Sequence, residues 1–334
     1  MLDGSTSDAA YAAQHAVPHA AVGGPRGRFP GRWVAGSSAR SMAGSLAGSL
    51  ETVAAMVPWC SYRLGPPPGG VTADPLTALA TGGWLRCREA LDDPRFFIQW
   101  QRELGRRMAA QYAVAPAVTT AGYIMGWYCG LFGFLGGMLF NATRRVPSLA
   151  PDNIAFKLHP ALGRPADVAL LDGAFVGLPS DPYALAGPAP DVPAPDVPAP
   201  DDTVLADDGQ LAVALRAEVA GHGEQFVAAY RRASRFGPHT LWGAVTDSVE
   251  RGLWHIAHRC GQDAAGAGDA ALVLPRRLPP FTSGSTIHSL TDQRGRPHWT
   301  RIRRSCCFYY KLPGAVPCAS CPRLTEAQRR QRLS

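Results

Sequence analysis

The stretch MAAQYAVAPAVTTAGYIMGWYCGLFGFLGGMLFNAT, residues 108–143, contains no charged residue and is bordered on both sides by a pair of arginines. A run of this length can hold a transmembrane helix. It is also typical of two buried core helices, separated near Pro116–Gly122. Six glycines between Gly122 and Gly137 allow close helix packing in either setting. We expect the buried core, and the membrane span stays open as the alternative.

Towards the N-terminus, the sequence predicts a helical domain preceded by an unstructured segment. Residues 1–48 are rich in Ala, Gly, Ser and Arg and show no sustained apolar period, so we expect low-complexity disorder. The folded helical domain is predicted over 49–262. Within it, residues 84–107 indicate a helix that is broken at Asp93-Pro94 and begins again, with apolar residues at helical spacing.

Towards the C-terminus, the pattern changes to short strand-like pieces and then to a repeat. Residues 154–178 contain β-prone runs between Pro and Gly, which predicts a small strand pair. The repeats PAPDV, PAPDV and PAPDD at 188–202 favour extended polyproline structure. We therefore expect a Pro/Asp-rich surface insertion at 179–203 without a catalytic role.

The last third combines helices with a β-hairpin. Residues 209–262 predict two helices, the second with apolar residues on one face, and residues 264–271 are expected to be a loose Gly/Ala stretch. Strand-like pieces at 286–290 and 298–302 flank DQRGRP, a turn signal. The predicted fold class is α+β, a predominantly α-helical domain with a small β component and a C-terminal module at 272–334.

Composition limits the classes of protein that remain. The chain has 334 residues, of which 46% are hydrophobic and 18% charged, as in a globular protein. Its net charge of +7 suggests acidic partners, but basic and aromatic residues are not interleaved, so we expect no nucleic acid. The N-terminus lacks the pattern of a secretory signal peptide, and we therefore expect the eight cysteines to be reduced thiols, metal ligands or catalytic groups.

Half of these cysteines lie in RRSCCFYYKLPGAVPCASCPRL, residues 303–324. Thiolates are soft ligands for Zn²⁺, Cu(I) and iron–sulfur clusters, and a [2Fe–2S] cluster takes four of them. The spacing C-C-x10-C-x2-C supplies four in one loop that Pro and Gly can fold back. Zinc is the nearest alternative, although its usual pairs are separated by two to four residues. A vicinal disulfide or an inert cysteine cluster is the third.

The stretch RRSCCFYYKLPG…CASC is similar to the C-terminal signature of the FhuF-like ferric siderophore reductases. The dibasic Arg303-Arg304 and the aromatic run 308–310 also resemble the family, and LWGAVTDSV at 241–249 is a weaker likeness. The resemblance implies a [2Fe–2S] cluster. It implies that the ligands of this cofactor and metal site are Cys306, Cys307, Cys318 and Cys321, with no catalytic residue beyond them.

The resemblance further implies an oxidoreductase, a ferric-siderophore reductase that takes part in iron acquisition. One electron passes to siderophore-bound Fe(III), and Fe(II) is released in the cytoplasm. The expected partners are a ferric siderophore and an acidic electron donor of the ferredoxin or flavodoxin type. A location at the inner face of the membrane beside an importer is a further expectation. The alternatives are a zinc-stabilised binding protein without enzyme activity, and an iron–sulfur electron carrier or redox sensor. Ligase activity ranks last, because no nucleotide-binding loop is present.

Four other features of the sequence have a structural interpretation, either as the only one or beside a functional one. Between residues 294 and 334 the chain has ten Lys or Arg residues and one acid, Glu326, which indicates either a donor-docking surface or a solvated tail. HIAHRC at 255–260 has too few ligands for a metal site. Aromatic residues and arginines of the helical domain are expected mainly to pack. The remaining single cysteines with apolar neighbours are expected to be buried: Cys60, Cys87 and Cys129.

Overall fold

The structure is a computed structural model that describes residues 45–181 and 204–332. The helices are α1 Leu46–Ala55, α2 Pro75–Thr81, α3 Cys87–Asp92, α4 Phe96–Tyr112, α5 Ala117–Cys129, α6 Leu135–Thr143, α7 Asp208–Ala233, α8 Pro238–Arg259, α9 Asp263–Val273 and α10 Glu326–Arg332. The strands are β1 Ser61–Leu64, β2 Leu85–Arg86, β3 Val146–Pro147, β4 Ile154–Leu158, β5 Pro165–Leu170, β6 Phe175–Val176, β7 His288–Thr291 and β8 Pro297–Thr300. The predicted α+β class with a helical majority is confirmed.

The charge-free run forms the centre of the helical core. Helix α4 ends at Tyr112, and a continuous helical segment runs from Ala117 to Thr143 as α5, a π-helical turn at Gly130–Phe134, and α6. The break therefore lies at 113–116, and the second half is one helix of 27 residues. It is the one helix of the described ranges that is long and apolar enough to cross a membrane, but 83% of its most apolar window is buried inside the protein. Its neighbours in the fold cover it, which supports the core alternative.

Glycines let this helix approach α8 backbone to backbone. A methyl group on Gly137 would meet the carbonyl oxygen of Val249 at 2.6 Å. A methyl group on Gly252 would collide with the carbonyl oxygen of Phe134. Because each helix contributes a glycine to the crossing, the two backbones pack closer than ordinary side chains allow. The long charge-free helix is thereby fixed against the helix that also supports the cysteine loop.

A four-stranded sheet covers one side of the helices in the order β1-β5-β4-β2. Strands β4 and β5 pair antiparallel, as the sequence predicts for 154–178. Strand β1 joins β5 in parallel, and β2 joins β4 antiparallel. Neither outer strand was predicted from the sequence. Residues 85–86, predicted as helix, are a strand, because they pair with Ala155 and Phe156 before α3 begins.

Two boundaries differ from the sequence prediction. Helix α1 begins at Leu46, inside the range predicted as disordered, and Leu46 and Leu50 are buried in the core. Residues 1–44 lie outside the described residues. The Gly/Ala stretch 264–271 is not loose: it belongs to α9, which packs on α8 with Gly266 against Trp254.

The Pro/Asp repeat at 188–202 also lies outside the described residues, and the division into a helical domain and a C-terminal module stays a prediction.

The predicted hairpin precedes the cysteine loop. Strands β7 and β8 pair antiparallel with His288 opposite Thr300. In the turn, the Asp292 carboxylate accepts the backbone N–H groups of Arg294 and Arg296, and Gly295 takes a positive φ of 76°. The hairpin thus ends just before Arg301, which lies against α8, and the first of the four thiols follows five residues later.

Candidate metal centre

The structure brings Cys306, Cys307, Cys318 and Cys321 together. The Cys321 thiol is hydrogen-bonded to those of Cys306 and Cys318, and the Cys318 thiol also contacts Cys307. The contacts therefore link the adjacent pair at one end of the loop to both cysteines of CASC at the other. All eight cysteines are free thiols. The fold-back that the spacing predicts is present.

These contacts give the thiols unequal acidities. The hydrogen bond from Cys321 lowers the pKa of the Cys306 thiol to about 6. Contacts with Cys307 and Cys321 also lower the pKa of Cys318, and the pKa values of these two donors are raised in return. Metals bind thiolates rather than thiols. The contacts thus favour ionisation of Cys306 and Cys318 over that of Cys307 and Cys321.

A backbone donor points at the first thiol. The N–H of Phe308 donates to Sγ of Cys306 with an N···S distance of 3.3 Å. Phe308 adopts a left-handed backbone with φ 58°, and its ring stacks on Phe236 with centroids 5.6 Å apart. N–H···S bonds stabilise the more negative state of a thiolate-bound metal group and so raise its reduction potential.

Helix α5 packs against the segment that contains Cys307 and Phe308. The Thr119 hydroxyl donates to the carbonyl oxygen of Phe308 at 3.1 Å. A methyl group on Gly122 would lie 2.9 Å from the carbonyl oxygen of Cys307 and 3.0 Å from the Phe308 ring. Gly122 is therefore required for the contact between helix and loop. The charge-free stretch has a role in the site that its composition does not reveal.

Helix α8 holds the segment before the thiols with a buried carboxylate. Asp247 accepts the backbone N–H of Arg304 at 2.7 Å, and the N–H and hydroxyl of Ser305 at 2.8 and 2.5 Å. One helical turn earlier, Gly243 leaves room for the Arg304 carbonyl, which a methyl group would meet at 3.2 Å. These contacts give a physical reason for the Trp-Gly pair in LWGAVTDSV: the glycine lets the cysteine loop lie directly on α8.

A second acid on the same face anchors the hairpin. Glu250, three residues after Asp247, is 2% exposed and accepts hydrogen bonds from the Thr286 hydroxyl and the Arg301 guanidinium. Arg301 also donates to the carbonyl oxygen of Asp247 at 2.8 Å. Neither acid was predicted from the sequence. In the sequence they show only as two carboxylates three residues apart on α8, away from the apolar positions 241, 245, 249 and 253.

The C-terminal helix α10 closes the CASC side of the loop. The Arg329 side chain is 2% exposed and donates to the carbonyl oxygens of Ala319 and Cys321, the latter at 3.0 Å. Arg330 is exposed and pairs with Glu326 instead. The basic tail is therefore not uniform: one of its arginines is a buried support of the cysteine turn, and sequence reasoning did not distinguish it from its neighbour.

One arginine lies between the carboxylate and the thiols. Arg303 is half-buried, with Nε 3.7 Å from Asp247. Burial acts to lower its pKa, but the neighbouring Cys307 and Asp247 outweigh that effect and raise it. The guanidinium is therefore firmly charged beside the sulfur atoms. A fixed positive charge there favours thiolates and a reduced metal group.

The other candidate groups of the sequence lie elsewhere in packing contacts. His255 contacts the carbonyl oxygen of Met56, whereas His258 contacts Asp263 at 2.6 Å, so the two histidines do not converge on one ion. The indole N–H of Trp100 donates to the carbonyl oxygen of Gly163 and that of Trp254 to Asp263. Trp127 stacks on Trp100, and Trp242 lies against Gly223.

The remaining four cysteines do not take part in the site. Cys87 and Cys129 are buried, and burial raises the pKa of each thiol. Cys60 and Cys260 are half-buried, and burial raises the pKa of Cys60 to about 12. Cys87 and Cys129 therefore behave as the small buried residues that the sequence predicts, whereas Cys60 is only partly covered.

The donor chemistry of the loop fits the implied cofactor. Within residues 45–181 and 204–332, no three His, Cys, Asp or Glu side chains are already arranged as a metal-ion site. The loop instead offers four thiols that three contacts link in the order Cys306, Cys321, Cys318 and Cys307, two of them with lowered pKa, and one N–H···S bond. Four thiolates are the ligand set of a [2Fe–2S] cluster.

Comparison with known families bears on the same loop. Residues 303–323 match the family model of the FhuF 2Fe-2S C-terminal domain. The matched segment begins at Arg303 and contains all four thiols. It is therefore the part of the chain that is similar to an FhuF-like iron–sulfur protein, and the likeness predicted for this stretch is confirmed. No curated protein matches the chain.

Proposed function

We propose that the protein passes one electron to the Fe(III) of a ferric siderophore through a [2Fe–2S] cluster, and that iron leaves as Fe(II). The observation that carries this proposal is the convergence of Cys306, Cys307, Cys318 and Cys321 within the segment that matches the FhuF 2Fe-2S C-terminal domain. Siderophores bind Fe(III) through hard oxygen donors. Fe(II) is a weaker Lewis acid and is released.

Each residue of the site has a task in this proposal. The four thiolates would hold the cluster, which supplies one-electron chemistry when bound. Phe308 donates its N–H to the sulfur of Cys306, and Arg303 places a positive charge beside the loop. Both effects favour acceptance of an electron. Asp247 and Arg329 keep the two ends of the loop together.

The electron enters from a second partner. An acidic one-electron carrier of the ferredoxin or flavodoxin class suits the exposed basic residues near the loop, among them Lys311 and Arg323. In this scheme the carrier is oxidised by one electron and Fe(III) is reduced by one. The proposed location is the cytoplasm, at the inner face of the membrane where an importer delivers ferric siderophore.

A single-turnover experiment tests the proposal. Protein purified without oxygen is reduced with dithionite, desalted, and mixed with a ferric trihydroxamate and a ferrous-iron chelator. We expect about one Fe(II) per chain, as required for a group that carries one electron at a time. Cys318→Ser abolishes this yield, whereas Cys260→Ser, remote from the loop, retains it. Cluster-containing protein that stays reduced would instead be an electron carrier or sensor.

A zinc-stabilised scaffold is the other candidate, and its test is the metal itself. Zinc ligands are also thiolates, and the thiol contacts alone do not separate the two metals. A colourless preparation with zinc and without iron would end the reductase proposal. An iron-containing, coloured preparation would leave the turnover experiment to distinguish a reductase from a carrier.

A further inference from the structure

A basic cleft lies beside the cysteine loop. Its volume is about 530 Å³, within the range of small-molecule sites, and it is open to solvent. The residues that define it are His239, Arg277, Ser283, Arg303, Arg304 and Pro322. It forms where the start of α8, the segment before β7 and the cysteine loop meet. Nothing in the proposed electron transfer so far accounts for it.

The charge of the cleft is positive, and two of its three arginines have no ion-pair partner in the part of the chain that the structure describes. Three arginines line it, and no lining residue is an acid. Arg303 is engaged with Asp247, but Arg277 and Arg304 are exposed and form no ion pair within residues 45–181 and 204–332. Like charges placed around a concave surface repel one another and attract a counter-ion. The cleft is therefore arranged to receive negative charge.

The start of α8 adds to the positive potential of the wall. His239 lies in the first turn of this 22-residue helix, and the N-terminal end of a helix carries partial positive charge. The arginines and the helix end therefore favour the same class of ligand, an anion.

The cleft is continuous with the loop that holds the thiols. Arg303 and Arg304 precede Cys306 by three and two residues, and Pro322 follows Cys321 directly. Arg303 also lies within electrostatic range of the Cys306, Cys307 and Cys318 thiols. A molecule in the cleft would therefore sit against the cysteine loop. An electron acceptor has to approach at this place.

We infer that this cleft binds the ferric siderophore and that the preferred class is anionic, with net negative charge on catecholate or carboxylate oxygen donors. The inference rests on the proposed function for the identity of the ligand as an iron complex. An uncharged hydroxamate complex gains nothing from Arg277 and Arg304, whereas a tris-catecholate complex is attracted by both. An acidic protein surface is the other anion to consider, but a concave wall of about 530 Å³ suits a small ligand better.

Gallium(III) complexes test binding without reduction, because Ga(III) takes the same oxygen donors and does not accept the electron. The full chain is titrated with the gallium complexes of a tris-catecholate and of an uncharged trihydroxamate, and tryptophan fluorescence is followed. The cleft variant is Arg277→Gln/Arg304→Gln. The matched control is Arg102→Gln/Arg232→Gln, which removes the same charge from exposed positions on α4 and α7.

We expect the wild-type protein to bind the anionic complex at least about tenfold more tightly than the uncharged one. The cleft variant should lose about tenfold in affinity for the anionic complex, which corresponds to about 1.4 kcal/mol. The control variant should lose about twofold or less. Iron content of both variants confirms that the cysteine loop is intact.

Equal affinity for the two complexes, or equal losses in cleft and control variants, would overturn the inference. So would a cleft variant that binds gallium complexes normally but is reduced more slowly by an acidic ferredoxin, since the cleft would then serve the donor. The proposed function has a separate readout. If the anionic gallium complex binds as expected and its ferric counterpart is not reduced, the cleft stands and the reductase proposal fails.

Discussion

The carboxylate of Asp247 accepts the backbone N–H of Ser305 at 2.8 Å, one residue before the first thiol of the motif. The same carboxylate accepts the N–H of Arg304 and the Ser305 hydroxyl, and Asp247 is 4% exposed. The start of the cysteine loop is thus fixed by the side chain of a helix that lies nearly sixty residues earlier in the chain. The arrangement makes helix α8 a support for the loop.

Replacing Asp247 should loosen the loop. Asp247→Ala leaves buried N–H groups unpaired and is expected to lower the free energy of unfolding by about 2–4 kcal/mol. Asp247→Asn retains one acceptor oxygen and should lose about half as much. Urea unfolding measures stability, and loss of visible absorption in the presence of a chelator measures metal retention. The exposed acid Glu224→Ala serves as the control for charge. Unchanged metal retention in Asp247→Ala would contradict the anchoring role.

Two glycines on the same helix should respond in opposite directions. Gly122→Ala places a methyl group 2.9 Å from the Cys307 carbonyl oxygen, and such overpacking costs about 1–3 kcal/mol. Gly126→Ala has no atom within 4 Å of the new methyl group and should stabilise α5 by up to about 1 kcal/mol. Thermal unfolding and metal content of both variants give the comparison. Similar effects at the two positions would show that α5 does not constrain the loop.

Neighbouring arginines of α10 give a second matched pair. Arg329→Ala removes donors to the carbonyl oxygens of Ala319 and Cys321 and should speed metal loss several-fold, with about 1–3 kcal/mol of destabilisation. Arg330→Ala breaks an exposed pair with Glu326 and should change stability by less than about 1 kcal/mol. The rate of bleaching under a chelator distinguishes them. Equal rates would mean that α10 is dispensable for the CASC turn.

The core contains a histidine that should make stability depend on pH. His222 is 1% exposed, its Nδ1 hydrogen-bonds to the Leu149 carbonyl oxygen, and burial lowers its pKa to about 4. Tyr128 faces its other nitrogen, and Arg88 and Asp152 lie within electrostatic range. The neutral form is favoured in the folded state. The contribution to stability is therefore complete above the unfolded pKa of about 6.5 and is lost as the pH falls towards 4.

The pH experiment compares unfolding free energies at pH 7 and pH 4.5. The wild-type protein should lose up to about 3 kcal/mol through this one group, because one pKa unit corresponds to about 1.4 kcal/mol. His222→Gln should be less stable at pH 7 and should show a smaller loss between the two pH values. His239→Gln, an exposed histidine, should keep the wild-type dependence. An unchanged slope in His222→Gln would assign the acid sensitivity to other groups.

Elements with a regular apolar period could be predicted from sequence. The buried positions Leu241, Val245, Val249 and Leu253 repeat at helical spacing and lie on the core face of α8. The DQRGRP turn likewise predicts the hairpin, since Gly295 occupies the positive-φ position. In both places the local signal and the tertiary structure agree.

Elements that depend on partners distant in the chain could not be predicted from the sequence. Helix α9 consists mainly of Ala and Gly, and it is helical where Gly266 packs against Trp254 rather than because of its own period. Strand β2 has two residues and exists only through its pairing with β4. Tertiary contacts decide both elements.

The site shows the same difference between local signals and tertiary contacts. The four thiols could be predicted, because four cysteines at such short spacing are typical of a metal site. The residues that support the loop could not be predicted, since Asp247, Gly122 and Arg329 have no distinguishing signal in the sequence and only the fold places them against the loop. Arg329 and Arg330 are adjacent and chemically identical, and only burial separates their roles.

The central claim is that Cys306, Cys307, Cys318 and Cys321 hold a [2Fe–2S] cluster. The most direct measurement is iron and acid-labile sulfide content of protein purified without oxygen, with visible absorption and EPR before and after dithionite. We expect about two irons and two sulfides per chain, with an EPR signal that appears only on reduction. Replacing any one of the four cysteines by serine should remove the iron and the sulfide, whereas Cys260→Ser should retain them. A colourless protein that contains one zinc per chain would contradict the claim.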